Sequence, residues 1–191
     1  MSRLDLIVGP NGAGKSTFAT VLAAQLPGTP FVNADLIAAE RWPDDPAAHA
    51  YDAARIAEAT RSALIGRGEQ FIAETVFSHP SKLALVEQAR AAGYYLAIHV
   101  LMVPEDLAVA RVRARVATGG HTVPEEKIRQ RHRRLWPLAV TAAATADAAS
   151  FWDNSTLDGP VLAAALGEGR LLGPPRWPPW APASVTGRWP S

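Results

Sequence analysis

The chain has 191 residues, which fits one domain with a real core, and its 48% hydrophobic and 19% charged residues favour neither a disordered nor a membrane-embedded class. Cysteine is absent, which removes disulfides, thiolate metal sites and cysteine nucleophiles together. A net charge of +1 supplies no global basic field for nucleic acid, so anion recognition must come from local clusters.

The first apolar run, Leu4 to Val8, reads as a strand ending at Gly9, and the alanine-rich stretch from Lys15 to about Leu26 reads as a helix. A second short strand is expected at Pro30 to Asn33, with helix resuming at Asp35. A proline-punctuated loop at Arg41 to Pro46 leads into a long helix near Ala47 to Gly66. A strand at Gln70 to Val76, a helix near Ser81 to Ala92 and a strand at Tyr94 to Val103 follow, and this alternation predicts a parallel sheet. Two arginine-rich helices, about Glu105 to Ala117 and Pro124 to Leu135, flank a break at Gly119-Gly120. Alanine-rich helix is expected to run on to Ala149, with a fifth strand at Ser150 to Trp152. Beyond Arg170 the density of proline and tryptophan excludes regular helix and predicts an extended segment that lays its tryptophans on the domain surface. A proline-rich partner motif is the alternative for this tail.

Gly9-Pro10-Asn11-Gly12-Ala13-Gly14-Lys15-Ser16 satisfies the P-loop pattern and sits between a strand and a helix, the context that gives such a match its meaning. Gly9, Asn11, Gly12, Ala13, Gly14, Lys15, Ser16 and Thr17 are therefore the candidate nucleotide-binding residues. Lys15 is expected on the β- and γ-phosphates and the Ser16 hydroxyl on Mg²⁺. Arginine outnumbers lysine sixteen to three, so a lysine at this position stands out further. Asp35 ends the second strand, where ligands of open α/β sheets bind, and is the candidate general base; a helix cap is its structural alternative. Glu74 and Thr75 close the third strand in the same manner and are candidates for the substrate, with Glu74 also a candidate metal ligand. Arg111 with Arg115, and Arg131 with Arg134, share helix faces at spacings of four and three. Such cations can close over a triphosphate, the first pair as catalytic and the second as substrate-side charges.

Together, Gly9 to Thr17, Asn33-Ala34-Asp35, Glu74-Thr75, Gly119-Gly120-His121 with Val123-Pro124-Glu125, and Asp153-Asn154-Ser155 resemble the zeta-toxin family of P-loop kinases, in family order over about residues 4 to 156. The resemblance implies an α/β P-loop NTPase three-layer sandwich with a five-stranded parallel sheet in the order 2-3-1-4-5 and a helical lid over about 104–135. It implies ATP and Mg²⁺ as cofactors, Asp35 as proton acceptor, Arg115 or Arg111 as the lid arginine, and Asn154 at the nucleotide. The acceptor it implies is a small-molecule hydroxyl such as that of UDP-N-acetylglucosamine, and the partner is an antitoxin protein. The stretch from Ala39 to Tyr51 is shorter than the family's substrate region, and His121 stands where a second lid arginine belongs.

The expectation is thus a kinase domain over 1–170 and a Pro/Trp-rich tail over 171–191. A polynucleotide kinase and a nucleotide-binding regulator or ATPase with little transfer are the alternative functions. The P-loop lies too near the first residue for a signal peptide, and no apolar run approaches the ~18 residues of a membrane span, so a cytoplasmic location is expected.

Overall fold

The computed structural model describes residues 1–117 and 123–191. The Gly119-Gly120 break and His121 lie outside the described residues. The elements in chain order are β1 (Arg3–Val8), α1 (Lys15–Gln25), β2 (Phe31–Val32), α2 (Ala34–Arg41), α3 (Ala50–Arg67), β3 (Phe71–Thr75), α4 (Ser81–Ala91), β4 (Tyr95–Met102), α5 (Glu105–Ala117), α6 (Glu125–Thr145), β5 (Ala148–Asp153), β6 (Val161–Gly167), β7 (Arg170–Leu171) and α7 (Ala183–Arg188).

Side chains of a strand alternate between faces, and β1 shows the consequence. Leu4, Leu6 and Val8 enter one cluster with Ala57 and Leu64 of α3, Val86 and Ala89 of α4, and Leu135 and Ala139 of α6. Ile7 points the other way, toward Ala19 of α1, Val109 and Val112 of α5 and Ile128 of α6. Two apolar layers on opposite faces of one sheet make the fold a P-loop NTPase-like three-layer α/β sandwich.

The sheet differs from the expected five-stranded parallel one. It has seven strands in the order β2-β3-β1-β4-β5-β6-β7. β1 to β5 run parallel to one another, whereas β6 pairs antiparallel with β5 and β7 with β6, so the sheet is mixed. Alanine has high helix and low strand propensity, so the run Val161-Leu162-Ala163-Ala164-Ala165-Leu166 carries little strand signal of its own; pairing with β5 supplies it.

The same competition shortens the preceding helix. α6 stops at Thr145 rather than Ala149, because Asp147 accepts the Leu96 N–H through Oδ2 at 2.7 Å and Ala148 and Ala149 pair with Ala97 and Ile98.

The tail departs from the expectation of no helix, since α7 occupies Ala183–Arg188. Helix is possible there because no proline falls between Pro182, which serves as the N-cap, and Pro190. Val185 and Trp189 are buried in the larger apolar cluster, and Trp177 and Trp180 pack against it. Phe151 of β5 meets Trp177 and Trp189, each with ring centroids 5.4 Å away. Trp177 Nε1 donates to the Trp189 carbonyl at 2.8 Å and Trp189 Nε1 to the Gly169 carbonyl at 2.9 Å.

Candidate active site

β1 delivers the chain to the P-loop at the edge of the sheet where all five parallel strands end. Gly12 and Gly14 take φ of 76° and 82°, a region disfavoured for residues with a Cβ. Space forbids one as well: a Cβ on Gly12 would stand 2.7 Å from the Ala108 carbonyl oxygen, and one on Gly14 2.5 Å from Asn154 Nδ2. The backbone N–H of Ala13 closes the turn on the Pro10 carbonyl at 3.2 Å. The N–H groups of Gly12, Gly14, Lys15 and Ser16 find no acceptor among the described residues. Asn11 Oδ1 is buried without a partner. Four unpaired donors at the start of α1, around a lysine, fit an anionic phosphate chain.

Lys15 is 7% exposed; its Nζ donates to the Pro10 carbonyl at 2.9 Å and lies 3.9 Å from Glu74 Oε1. Burial pushes the ammonium below its ordinary pKa, Glu74 and Asp35 pull it back up, and Arg115 and Arg131 push it down again. Residues from four separate regions of the chain therefore act on one charge. Asp35 is exposed in the first turn of α2 and is not the cap of that helix. The cap is Asn33, whose Oδ1 accepts the N–H groups of Asp35 at 2.7 Å and Leu36 at 3.3 Å.

Glu74 is held from two sides, by Asn33 Nδ2 at 2.7 Å on Oε2 and by the Ser16 hydroxyl at 3.3 Å on Oε1. The hydroxyl and the carboxylate named from sequence as metal ligands thus lie side by side. Among the described residues no group of three or more His, Cys, Asp or Glu is placed to hold a metal ion. One hydroxyl and one carboxylate fit a cation such as Mg²⁺, which takes few protein ligands and fills its shell with water and phosphate oxygens. Thr75 is half-buried, and its Oγ1 accepts the Phe77 N–H at 3.4 Å; Thr17 is exposed on α1.

The four candidate arginines separate. Arg111 donates to the Asn154 carbonyl at 2.8 Å and to the Thr156 carbonyl at 3.3 Å, so it grips the loop after β5. Asn154 in turn donates through Nδ2 to the Ala13 carbonyl at 2.8 Å, bracing the P-loop from the side. Arg115, one turn further along α5, and Arg131 of α6 are the arginines within electrostatic reach of Lys15. Arg134 is exposed and makes no hydrogen bond or ion pair among the described residues. Arg129 and Arg133 are engaged by acids: Arg129 meets Glu105, Asp106 and Glu125 at 2.7 to 2.9 Å, and Arg133 meets Glu105 at 3.3 Å. The Asp106 hydrogen bond, then those of Glu105 and Glu125, raise the Arg129 pKa further above its ordinary value.

Asn33 is the site residue that sequence reading placed in a motif without giving it a role. An asparagine just before a helix was the available signal; its second bond, to Glu74, joins positions 41 residues apart.

The fold and the loop geometry define a P-loop NTPase-like domain. Residues 4–138 match the AAA domain family, and the chain belongs to that family. An uncharacterised protein of Haemophilus influenzae is 28% identical over 127 residues, covering 65% of this chain and 88% of that protein. Among solved structures, a chain of the AvrRxo1-ORF1:AvrRxo1-ORF2 complex is similar over 90% of this chain with a TM-score of 0.69 and 16% identity. This chain spans only 60% of that one, and the same complex has been solved with ATP. A chain of the PezAT toxin–antitoxin system of Streptococcus pneumoniae gives a TM-score of 0.62 at 12% identity, over 86% of this chain and 72% of that one. A chain of the Pnkp1/Rnl/Hen1 RNA repair complex gives 0.58 at 23%, over 70% and 44%. Among the described residues no helix is long and apolar enough to cross a membrane.

Proposed function

We propose that the chain is an ATP-dependent kinase that moves the γ-phosphoryl group onto a hydroxyl of a small molecule. The observation that carries this reading is the buried Lys15 ammonium, 3.9 Å from Glu74 Oε1, set among the unpaired N–H groups of the P-loop, with the charges of Asp35, Arg115 and Arg131 also acting on it. Lys15 and the unpaired N–H groups at the start of α1 bind the β- and γ-phosphates. The Asp35 carboxylate takes the proton of the acceptor hydroxyl as its oxygen bonds to the γ-phosphorus and the bond to the bridging oxygen breaks, leaving ADP. Arg115 and Arg131 stabilise charge on the phosphoryl oxygens in transit, in the role left open from sequence between several arginines. Mg²⁺, held by Ser16 and Glu74, would neutralise phosphate charge during transfer. Asn154 and Arg111 keep the loop in shape, and Glu74 and Thr75 line the acceptor side.

A nucleotide sugar such as UDP-N-acetylglucosamine is the finer form of this reading, and an antitoxin-type protein is the partner that goes with it. A polynucleotide acceptor is disfavoured because Arg129 and Arg133 already hold acids. Asp35→Asn tests the assignment: nucleotide binding stays near wild type while transfer falls by about 10² to 10⁴-fold, the usual scale of general-base catalysis. Labelled ATP, a metabolite extract and mass spectrometry of new phosphorylated species report the transfer. An Asn variant that transfers at the wild-type rate would sink the role.

A further inference from the structure

α3 carries a guanidinium that the site above does not use. Arg61 is 7% exposed, yet it makes no hydrogen bond or ion pair among the described residues. A buried arginine has five N–H donors and normally satisfies them, because an unpaired buried charge is costly. Arg61 lines a small cleft between α3 and the start of α4, together with Lys82, Ser62 and Ser81. Two cations thus lie together there, and the carboxylate lining the cleft, Glu58, one turn from Arg61 on α3, attracts both charges but forms no ion pair with either. α4 has no acidic residue in its first turn, so its dipole adds positive potential at the same place. The N–H groups of Ser81 and Lys82 are already taken, by His79 Nδ1 at 3.2 Å and the His79 carbonyl at 3.0 Å. The Ser81 hydroxyl is likewise engaged by His79 Nδ1 at 2.9 Å, so recognition falls to the two cationic side chains and the Ser62 hydroxyl.

Glu58 and Ser62 also line a larger open groove of about 640 Å³ between α2 and α3, walled by Arg41, Trp42 and Ile56, so the cleft adjoins it. That volume suits a small ligand. The Trp42 indole is held flat by stacking on His49, with centroids 4.5 Å apart and planes 8° from parallel. Both ends of the groove belong to elements that start at the active edge of the sheet. Trp42 caps the helix whose first turn carries Asp35, about 10 Å away along the axis. Ser81 follows Thr75 by six residues, a reach of at most ~20 Å.

We propose that the groove along α3 is the acceptor site, and that Arg61 and Lys82 at its narrow end bind a phosphate group the acceptor already carries. The acceptor is then a phosphorylated hydroxyl compound whose ring or chain lies in the wide part against Trp42. Calling the ligand an acceptor rests on the kinase reading; the phosphate site does not.

The experiment is thermal melting of Lys15→Ala, which weakens the competing P-loop, over a series of inorganic phosphate concentrations with sodium chloride at matched ionic strength. Melting should rise with phosphate in a saturable way and not with chloride. In Lys15→Ala/Arg61→Met the response should vanish, while the melting temperature without phosphate should equal or exceed that of the parent, since an unpaired buried charge has been removed. A retained phosphate response, an equal response to chloride, or a lower melting temperature without phosphate would each overturn the proposal. A sugar phosphate should act where the free sugar does not, which separates phosphate binding from binding of the ring; equal effects of the two also overturn it. Transfer from labelled ATP is scored separately on the wild-type chain, so a phosphate site can stand where the kinase reading fails.

Discussion

The amide of Asn33 divides its ends between a helix and a carboxylate, capping α2 with Oδ1 and steadying Glu74 with Nδ2. Asn33→Ala should therefore cost about 0.5–2 kcal/mol in urea unfolding, the range for a lost cap, and lower turnover as well. Asn33→Ser should restore the cap and the stability but not the turnover, because serine cannot reach Glu74 while capping. Asp5 poses a different question, being a 1% exposed acid inside the first apolar run. Burial pushes its carboxyl up, but hydrogen bonds from His99 at 3.0 Å and Arg3 at 2.7 Å hold it below the ordinary 3.8. A depressed pKa means stability that is present above about 3.8 and lost as pH falls through the lower folded value. Asp5→Ala should accordingly cost roughly 1.5–3 kcal/mol at neutral pH and flatten the acid side of the stability profile, read by urea unfolding between neutral and acid pH. The placement of Lys15, Ser16, Asp35 and Glu74 at the ends of the first three strands was legible because a motif and strand ends announce it. Asp5 and Arg61 were not, because their burial comes from strands and helices distant in sequence.

At the scale of elements, α5 carries two arginines one turn apart with different tasks. Arg111 is spent on the carbonyls of Asn154 and Thr156, whereas Arg115 acts on the Lys15 charge. Arg115→Ala should lower kcat far more than nucleotide affinity, as expected for a cation that stabilises charge in transit. Arg111→Ala should weaken both together, since it loosens the loop that braces Ala13. Turnover and nucleotide titrations on the two variants distinguish these outcomes, and equal behaviour would merge the roles. The spacing of four placed both residues on one face; their division of labour depends on what the loop after β5 offers. Arg131 and Arg134 show the same limit, since a spacing of three puts both on a broad face and the docking of α6 decides which one reaches Lys15. The parallel strands were readable from their apolar runs and strand–helix alternation. β6 was not, because its alanines pattern like a helix until β5 supplies a partner.

Over the whole molecule, the segment after β7 is built into the core rather than resting on it. Trp189 is 4% exposed, packs on Phe151 and donates to the Gly169 carbonyl. Trp189→Ala should cost about 3–5 kcal/mol, the scale for emptying a buried aromatic position, measured by guanidinium unfolding. A loss below 1 kcal/mol would mean that the last helix is dispensable to the core.

The grip of those tryptophans on Phe151 has a consequence for how the protein comes into being. Phe151 lies in β5, which ends at Asp153, and the next residue, Asn154, braces the P-loop at Ala13. The nucleotide loop at 9–16 is made well before residues 177 and 189, yet its brace hangs from a strand that the tryptophans at those positions hold in place. At synthesis rates of roughly 5–20 residues per second, the loop waits on the order of 10–30 s for that support. Translation that stalls before Trp177 leaves a chain with every P-loop residue and an unsecured site, so competence to bind nucleotide waits on the tryptophans rather than on the loop itself.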